Sequence, residues 1–309
     1  MKLLGDAAWF TPAHYEKHRG VAPAYLAELV VHCLELVAQL SASGLAFRFK
    51  GGNSQLVLLD RPTRFSIDVD IVTTVPREEL TAVVERIAAE HPRFTACEVR
   101  PHRTKPWLPI LSFKVFFDSQ CGRSAEDSFV ILDAVLEPPA YPGTTKRIAC
   151  GDLFTCDQTV ELPTISGLLA DKMLCISPKT VGIPLGKNKD AHRLKHVFDV
   201  ANLSRHAPSY DEVMSALATC LAQENEIQKS AWTLADVSED TKAFCRGPLA
   251  HSDAPAWESF EPGDYMLEIA RGFPEVGSFL FARQYDWSVF QEDCRQVIQV
   301  FERVDREIG

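Results

Sequence analysis

What the chain lacks narrows it first. Its nine cysteines, at positions 33, 97, 121, 150, 156, 175, 220, 245 and 294, are odd in number and contain no Cys-x-x-Cys pair. That scatter excludes a zinc ribbon and argues against a disulfide framework, leaving packed thiols in a reducing compartment. No stretch of about 18 apolar residues runs without a charge, so no membrane span is expected. The opening Met1, Lys2, Leu3, Leu4, Gly5 and Asp6 lacks the apolar core and cleavage site of a secretory signal, and the expected location is the cytoplasm. Excess positive charge is missing too. With a net charge of −10, the chain has no general pull toward nucleic acid, whose binding rests on neutralising phosphates. Repeats and low-complexity tracts are absent.

Any RNA contact therefore needs a local patch. Two basic clusters are present: His102, Arg103 and Lys105 near Trp107, and the denser Lys187, Lys189, His192, Arg193, Lys195 and His196. Such runs are commonly just solvated faces. The length of 309 residues suffices for one large domain or two ordinary ones.

The most informative segment is 50–70. It carries Lys50, Gly51, Gly52, Asn53 and Ser54, an apolar run, and then Arg64, Ser66, Asp68 and Asp70. A strand over 65–71 sends Phe65, Ile67, Val69 and Ile71 to one face and the four polar residues to the other. Two carboxylates on one strand face repel unless a proton or a cation lies between them, which points to a hard divalent metal such as Mg²⁺ with oxygen ligands. The Gly-Gly turn lets backbone N–H groups approach a phosphate with no Cβ in the way. Taken singly, each element is commonly a plain turn or a solvated strand end. In this order they describe a metal–triphosphate site.

Around that segment the spacing predicts a helix over 24–39, a strand over 46–50, a short helix over 54–59 and an amphipathic helix over 77–90. Strands follow near 95–100, 111–117 and 128–135, a mixed α/β order. Asp133 is the one acid in the last of these, where an ionised carboxylate is costly unless paired or bound to metal. It caps a turn, pairs with Arg64 or Arg147, or joins the metal site. Lys114, opposite in parity to Leu111, Phe113, Val115 and Phe117, faces either the same cleft or plain solvent. Proline and glycine between 137 and 143 suggest a boundary. A little more strand is expected at 147–149, and helices dominate afterwards.

Thr164 is placed to cap a helix whose stripe Ile165, Leu168, Leu169 ends in Lys172, a lysine that either snorkels or meets a phosphate. A loop over 180–189 precedes a helix from Asp190 that sets Lys195 and Asp199 one turn apart. Asp199 there is an i, i+4 partner of Lys195, a buried partner of Lys172, or functional. His192, His196 and Asp199, spaced by four and three, also suit a transition metal, but no second cluster nearby completes the ligands. Further helices are expected at 211–223, 257–270 and 287–308.

The order Gly-Gly-Asn-Ser, then Arg-x-Ser-x-Asp-x-Asp after a short helix, resembles the first motif of the AbiEii/AbiGii-type nucleotidyltransferase toxins, which include MenT-like enzymes, within the DNA polymerase β-like superfamily. The resemblance covers roughly 47–203. It implies an α/β (α+β) nucleotidyltransferase domain with a mixed sheet over 1–150 and a helical domain over 151–309 that completes the nucleotide and acceptor cleft. It also implies that Gly51, Gly52, Asn53 and Ser54 form the phosphate turn, with Arg64 and Ser66 beside the nucleotide. Asp68, Asp70 and the third carboxylate, Asp133, would bind Mg²⁺ or Mn²⁺. Lys172 and Asp199 take nucleotide or catalytic roles. The helix motif departs from the family at His196 and Lys195, where an aspartate and an arginine are usual. By resemblance the chain transfers a nucleotide from an NTP to an acceptor hydroxyl, in a toxin–antitoxin or phage-defence setting with a cognate antitoxin and RNA, including the tRNA 3′ end, as target. Transfer to a small molecule or a protein would use the same residues. A non-catalytic nucleotide-binding module would dispense with Asp68 and Asp70.

Overall fold

The structure is a computed structural model and describes residues 1–100, 109–281 and 284–308. The cluster at His102, Arg103, Lys105 and Trp107 lies outside the described residues. The chain divides into two compact units. The first takes 1–139, 143–164 and 279–283, and the second takes 140–142, 165–278 and 284–309.

The first unit carries α1 (Pro12–His18), α2 (Ala24–Ala42), β1 (Arg48–Lys50), α3 (Gly51–Leu59), β2 (Asp68–Val72), α4 (Arg77–Glu90), β3 (Phe94–Arg100), β4 (Ile110–Phe117), β5 (Phe129–Val135), β6 (Gly143–Cys150) and β7 (Phe154–Pro163). Its seven strands form one mixed sheet in the order β3-β4-β5-β2-β1-β7-β6. The β2–β5 and β1–β7 pairs are parallel and the others antiparallel.

Strict alternation builds this sheet. Leu111, Phe113, Val115 and Phe117 on β4, Val130, Leu132 and Ala134 on β5, and Val69 and Ile71 on β2 are all buried. Their alternates Ser112, Lys114, Asp133, Asp68 and Asp70 stay half-exposed. A period of two on the sequence has become one apolar and one polar face. Helices α2, α3 and α4 pack against these strands. Helix α2 is apolar nearly all round and is buried from Leu26 to Leu40, as a helix enclosed by a core must be. Among the described residues it alone is long and apolar enough to cross a membrane, and 83% of that window is buried inside the fold.

Three boundaries differ from expectation. Helix α3 begins at Gly51 itself, with Lys50 as its cap, so the glycine turn is the first turn of the helix. Strand β2 begins at Asp68, because 63–65 is drawn off to pair with a distant segment. Phe65 N–H donates to the Phe279 carbonyl at 2.7 Å, Phe281 N–H donates to that of Thr63 at 3.2 Å, and Arg64 bridges Leu280. Strand β7 was not expected at all, and it carries the sheet to Pro163. The units therefore divide between Thr164 and Ile165 and not at 150, since β6 and β7 are a hairpin of the sheet.

The second unit is helical: α5 (Ile165–Leu174), α6 (Asp190–Ser204), α7 (Tyr210–Gln228), α8 (Leu234–Leu249), α9 (Tyr265–Val276) and α10 (Trp287–Ile308). Thr233 and Asp236 form a capping box at the start of α8. The helix expected over 257–270 is instead a 3₁₀ turn at Trp257–Ser259 and then α9, which starts after Asp264 caps it. The loop between α5 and α6 is pinned by side chains of this unit. Asp240 accepts from the Lys179 amide at 2.7 Å, and Gln228 donates to the Val181 carbonyl at 2.8 Å.

Candidate active site

Register places the polar face in rows. Lys50 lies opposite Asp70, Asp70 opposite Asp133, and Asp133 opposite Ser112, so four adjacent strands present these side chains side by side. Asp68 stands one step along β2 on the same face. Asp68, Asp70 and Asp133 thus share one face of three neighbouring positions. Arg147, a conceivable partner for Asp133, is engaged elsewhere, donating to the Cys156 carbonyl and the Asp157 carboxylate.

The glycine turn closes directly onto this row. Gly51 has φ +76°, and a Cβ built on it would lie 1.9 Å from Asp70 Oδ2. A Cβ on Gly52 would lie 2.7 Å from Ser66 Oγ and 2.9 Å from Arg64 Nη2. The absent side chains therefore make room for Asp70, Ser66 and Arg64 around the buried first turn of α3, where the N-terminal amides and dipole of a helix favour an anion. Asn53 and Ser54 are fully buried. Asn53 Nδ2 donates to the Asp68 carbonyl at 2.8 Å, and Ser54 Oγ donates to the Gly51 carbonyl at 2.9 Å. Their side chains thus brace the turn from inside the fold. Arg64 is 3% exposed and donates to its neighbour's carbonyl at Phe65.

The charge of this face is felt beneath it. Burial pushes the Cys33 thiol on α2 well above its ordinary value, and the negative charges of Asp68 and Asp70 push it further. Such a thiol is inert packing and not a nucleophile.

Lys172 and Asp199 belong to the second unit, on α5 and α6, which pack against each other. Lys172 is 6% exposed with Nζ 4.0 Å from the Asp171 carboxylate, and Asp199 is completely buried. The basic run reads differently in three dimensions. Lys187 and Lys189 are exposed, but Arg193 and Lys195 are buried. Arg193 donates to Glu268 at 2.6 Å and to the carbonyls of Ile183 and Pro184, so the candidate patch from 187 to 196 is not one continuous basic surface. The cause is the amphipathic turn of α6, which rotates those two side chains into the unit's interior. Among the described residues no three His, Cys, Asp or Glu side chains gather as a metal-holding group. That covers both the His192, His196 and Asp199 set and a closed triad of Asp68, Asp70 and Asp133.

Sequence reasoning named Lys50 without giving it a role and overlooked Arg48 and Glu161. Arg48 and Lys50 alternate around buried Phe49, so parity alone puts both on the polar face, and Arg48 lies opposite Glu161 and forms an ion pair with it.

Residues 34–280 match the family described as nucleotidyl transferase AbiEii toxin, type IV TA system. The chain belongs to the AbiEii nucleotidyltransferase toxin family. It is accordingly a nucleotidyltransferase toxin of a type IV toxin–antitoxin system, acting on an NTP, with a cognate antitoxin. The crystal structure of an antigenic nucleotidyltransferase-like protein from Paracoccidioides brasiliensis is similar at 16% identity, covering 65% of this chain and 91% of that one, with a TM-score of 0.38. No curated protein matches the chain.

Proposed function

We propose that this AbiEii toxin transfers a nucleoside monophosphate from an NTP to a hydroxyl of RNA at the polar face of the first unit's sheet. The observation that carries the reading is the closure of Gly51 onto Asp70 in the same row as Asp133. Asp68 and Asp70 would hold a divalent ion, Mg²⁺ or Mn²⁺, which supplies Lewis-acid polarisation of the α-phosphate and balances charge on the leaving group. An all-oxygen pair fits, because Mg²⁺ is commonly bound by one or two carboxylates with substrate phosphates completing its shell. The backbone amides of Gly51 to Ser54 hold the β- and γ-phosphates, and the α3 dipole adds to their pull.

Asp133, next in the row, accepts the proton of the acceptor hydroxyl. That oxygen attacks the α-phosphorus, the bond to the β-phosphate oxygen breaks, and pyrophosphate leaves. Arg64 and Ser66 border the phosphate turn and orient its charge. Family resemblance assigns Lys172 to the charge on pyrophosphate and Asp199 to the nucleotide. Exposed Lys187 and Lys189 support an RNA acceptor, since lysines in solvent meet backbone phosphate.

The test incubates the protein with each labelled NTP, a divalent ion, and purified cellular RNA, total protein or a metabolite extract. Label is expected on RNA, and Asp70→Ala is expected to lose it with a melting temperature close to that of the parent. Transfer at the parental rate in Asp70→Ala discards the mechanism. Label on protein or metabolite and not on RNA discards the acceptor.

A further inference from the structure

The polar face of the sheet is not polar throughout. On the outer strands Phe116, Phe129 and Ile131 share it with Ser112, Lys114 and Asp133, and all six are half-buried. Register fixes their order: Asp133 lies opposite Ser112, Ile131 opposite Lys114, and Phe129 opposite Phe116. Asp68 adjoins Ile131 from the inner side. At about 3.3 Å per residue, four residues along β5 put the aromatic pair about 13 Å from Asp133. The chemistry proposed above gives this pair no role.

The cluster has a specific build. The rings of Phe116 and Phe129 meet edge to face, with centroids 5.7 Å apart. Lys114 Nζ lies 4.1 Å from the Phe129 centroid and 5.9 Å from that of Phe116. The ammonium therefore sits on Phe129 and leaves Phe116 less covered. Exposed Arg100 stands opposite Ser112, so two cations border the acid row on this side. Those cations attract the chain phosphates that Asp68, Asp70 and Asp133 repel. An aromatic face beside a cation suits single-stranded nucleic acid of any sequence, because a base stacks on the ring while phosphate meets the charge. A duplex keeps its bases stacked on one another and offers no free face to the ring.

We propose that Phe116 and Lys114 form a subsite for the unpaired stretch of the acceptor strand, with a base stacked on Phe116 and a chain phosphate on Lys114. The subsite rests on the reading that RNA is the acceptor, and it lies apart from the phosphate turn and the carboxylates. Phe129 acts through Lys114, as a positioning residue. At about 3.4 Å per stacked nucleotide, the ring is roughly four nucleotides from the reacting hydroxyl, and fewer on an extended strand. Very short acceptors therefore fall short of it.

The test measures transfer by the full chain to single-stranded RNA oligonucleotides of mixed sequence, from about two to about eight nucleotides long. The KM for RNA is expected to fall ~10-fold as the strand lengthens past about four nucleotides, which corresponds to about 1.4 kcal/mol. Phe116→Ala is expected to abolish that gain with kcat and the KM for NTP unchanged, a split that loosened folding would not produce. Since Phe116 is half-buried, two further variants accompany it. Phe116→Trp, which keeps an aromatic face, is expected to retain the gain. Lys114→Gln is expected to weaken binding of the longest strand, followed by fluorescence anisotropy, and to lower its salt slope by about one. Asp70→Ala is expected to lose transfer and still bind the strand with the parental dependence on length, so failure of the chemistry and failure of the subsite are distinguishable. No binding of single-stranded RNA, a KM independent of length, a parental length dependence in Phe116→Ala, or equal binding of fully paired RNA overturns the proposal.

Discussion

The polar face of the sheet keeps Asp68, Asp70, Asp133 and Lys114 half-exposed, whereas α6 sinks Arg193, Lys195 and Asp199 into the helical unit. Both segments are equally rich in charge when read as sequence. On the sheet, Asp70 and Asp133 are like charges directly opposite in register, with Lys50 opposite Asp70 on the other side, and the Asp70–Asp133 pairing is one that stability alone does not favour. In the helical unit, charges are matched: Arg193 to Glu268, and Asp190 to Arg271. The difference separates a face built for a ligand from a core built for itself.

The helical side of that contrast breaks most sharply at Glu268. It accepts from Arg193 and from the Gly186 amide, so Glu268→Ala leaves a buried guanidinium without its carboxylate and a loop amide without its acceptor. A loss of about 3–5 kcal/mol is expected by urea denaturation. Pairing it with Arg193→Met is expected to recover part of that. Transfer activity lost at unchanged stability would instead move Glu268 into the chemistry.

The buried side of the first unit yields the next effect. His32 stacks on Phe117 with ring centroids 3.9 Å apart, and its Nδ1 meets the Glu28 carbonyl at 2.8 Å. Burial lowers its pKa from 6.5 to about 4, with the Glu28 carbonyl opposing. Above pH 6.5 it is neutral in both states and costs nothing. As pH falls from 6.5 toward 4, the unfolded chain takes up a proton that the folded chain refuses, and stability drops by about 3 kcal/mol. Glu35 acts in a lower window. Burial raises its pKa, but hydrogen bonds from His91, Gln39 and the amides of Leu4 and Gly5 outweigh this and lower it, so its contribution is lost only as pH falls through that lowered value. Denaturation curves from pH 7 to pH 4 check this. His32→Phe should flatten the profile, and a flat parental profile contradicts the assignment.

The smallest expected change in stability carries a large change in activity. Gly51→Ala places a side chain at φ +76° and against Asp70, costing about 1–3 kcal/mol of strain. Displacing Asp70 by about 1 Å is expected to cut transfer roughly 100-fold. Parental transfer in Gly51→Ala would show that the turn and the carboxylate work independently and would blunt the contrast drawn above.

The sheet and its polar row were legible because alternation survives folding: Asp68 with Asp70, and Asp133 among Val130, Leu132 and Ala134, announce their faces locally. Strand β7 alternates as clearly, with Phe154, Cys156, Val160 and Leu162 buried, yet it follows a proline- and glycine-rich stretch that reads as the end of a domain. The bracing roles of Asn53 and Ser54 depend on the Asp68 and Gly51 carbonyls, and backbone acceptors leave no mark on composition. The fate of Arg193 depends on Glu268, far along the chain, and no local spacing reports it.

The backbone of segment 63–65 is held in a short ladder with 279–281, more than two hundred residues further along the chain. During synthesis, the stretch leading into Asp68 therefore waits for residues 279–281 before this ladder can form. A cut before Leu280 is expected to loosen the strand that carries Asp68 and Asp70 while leaving both aspartates in the chain.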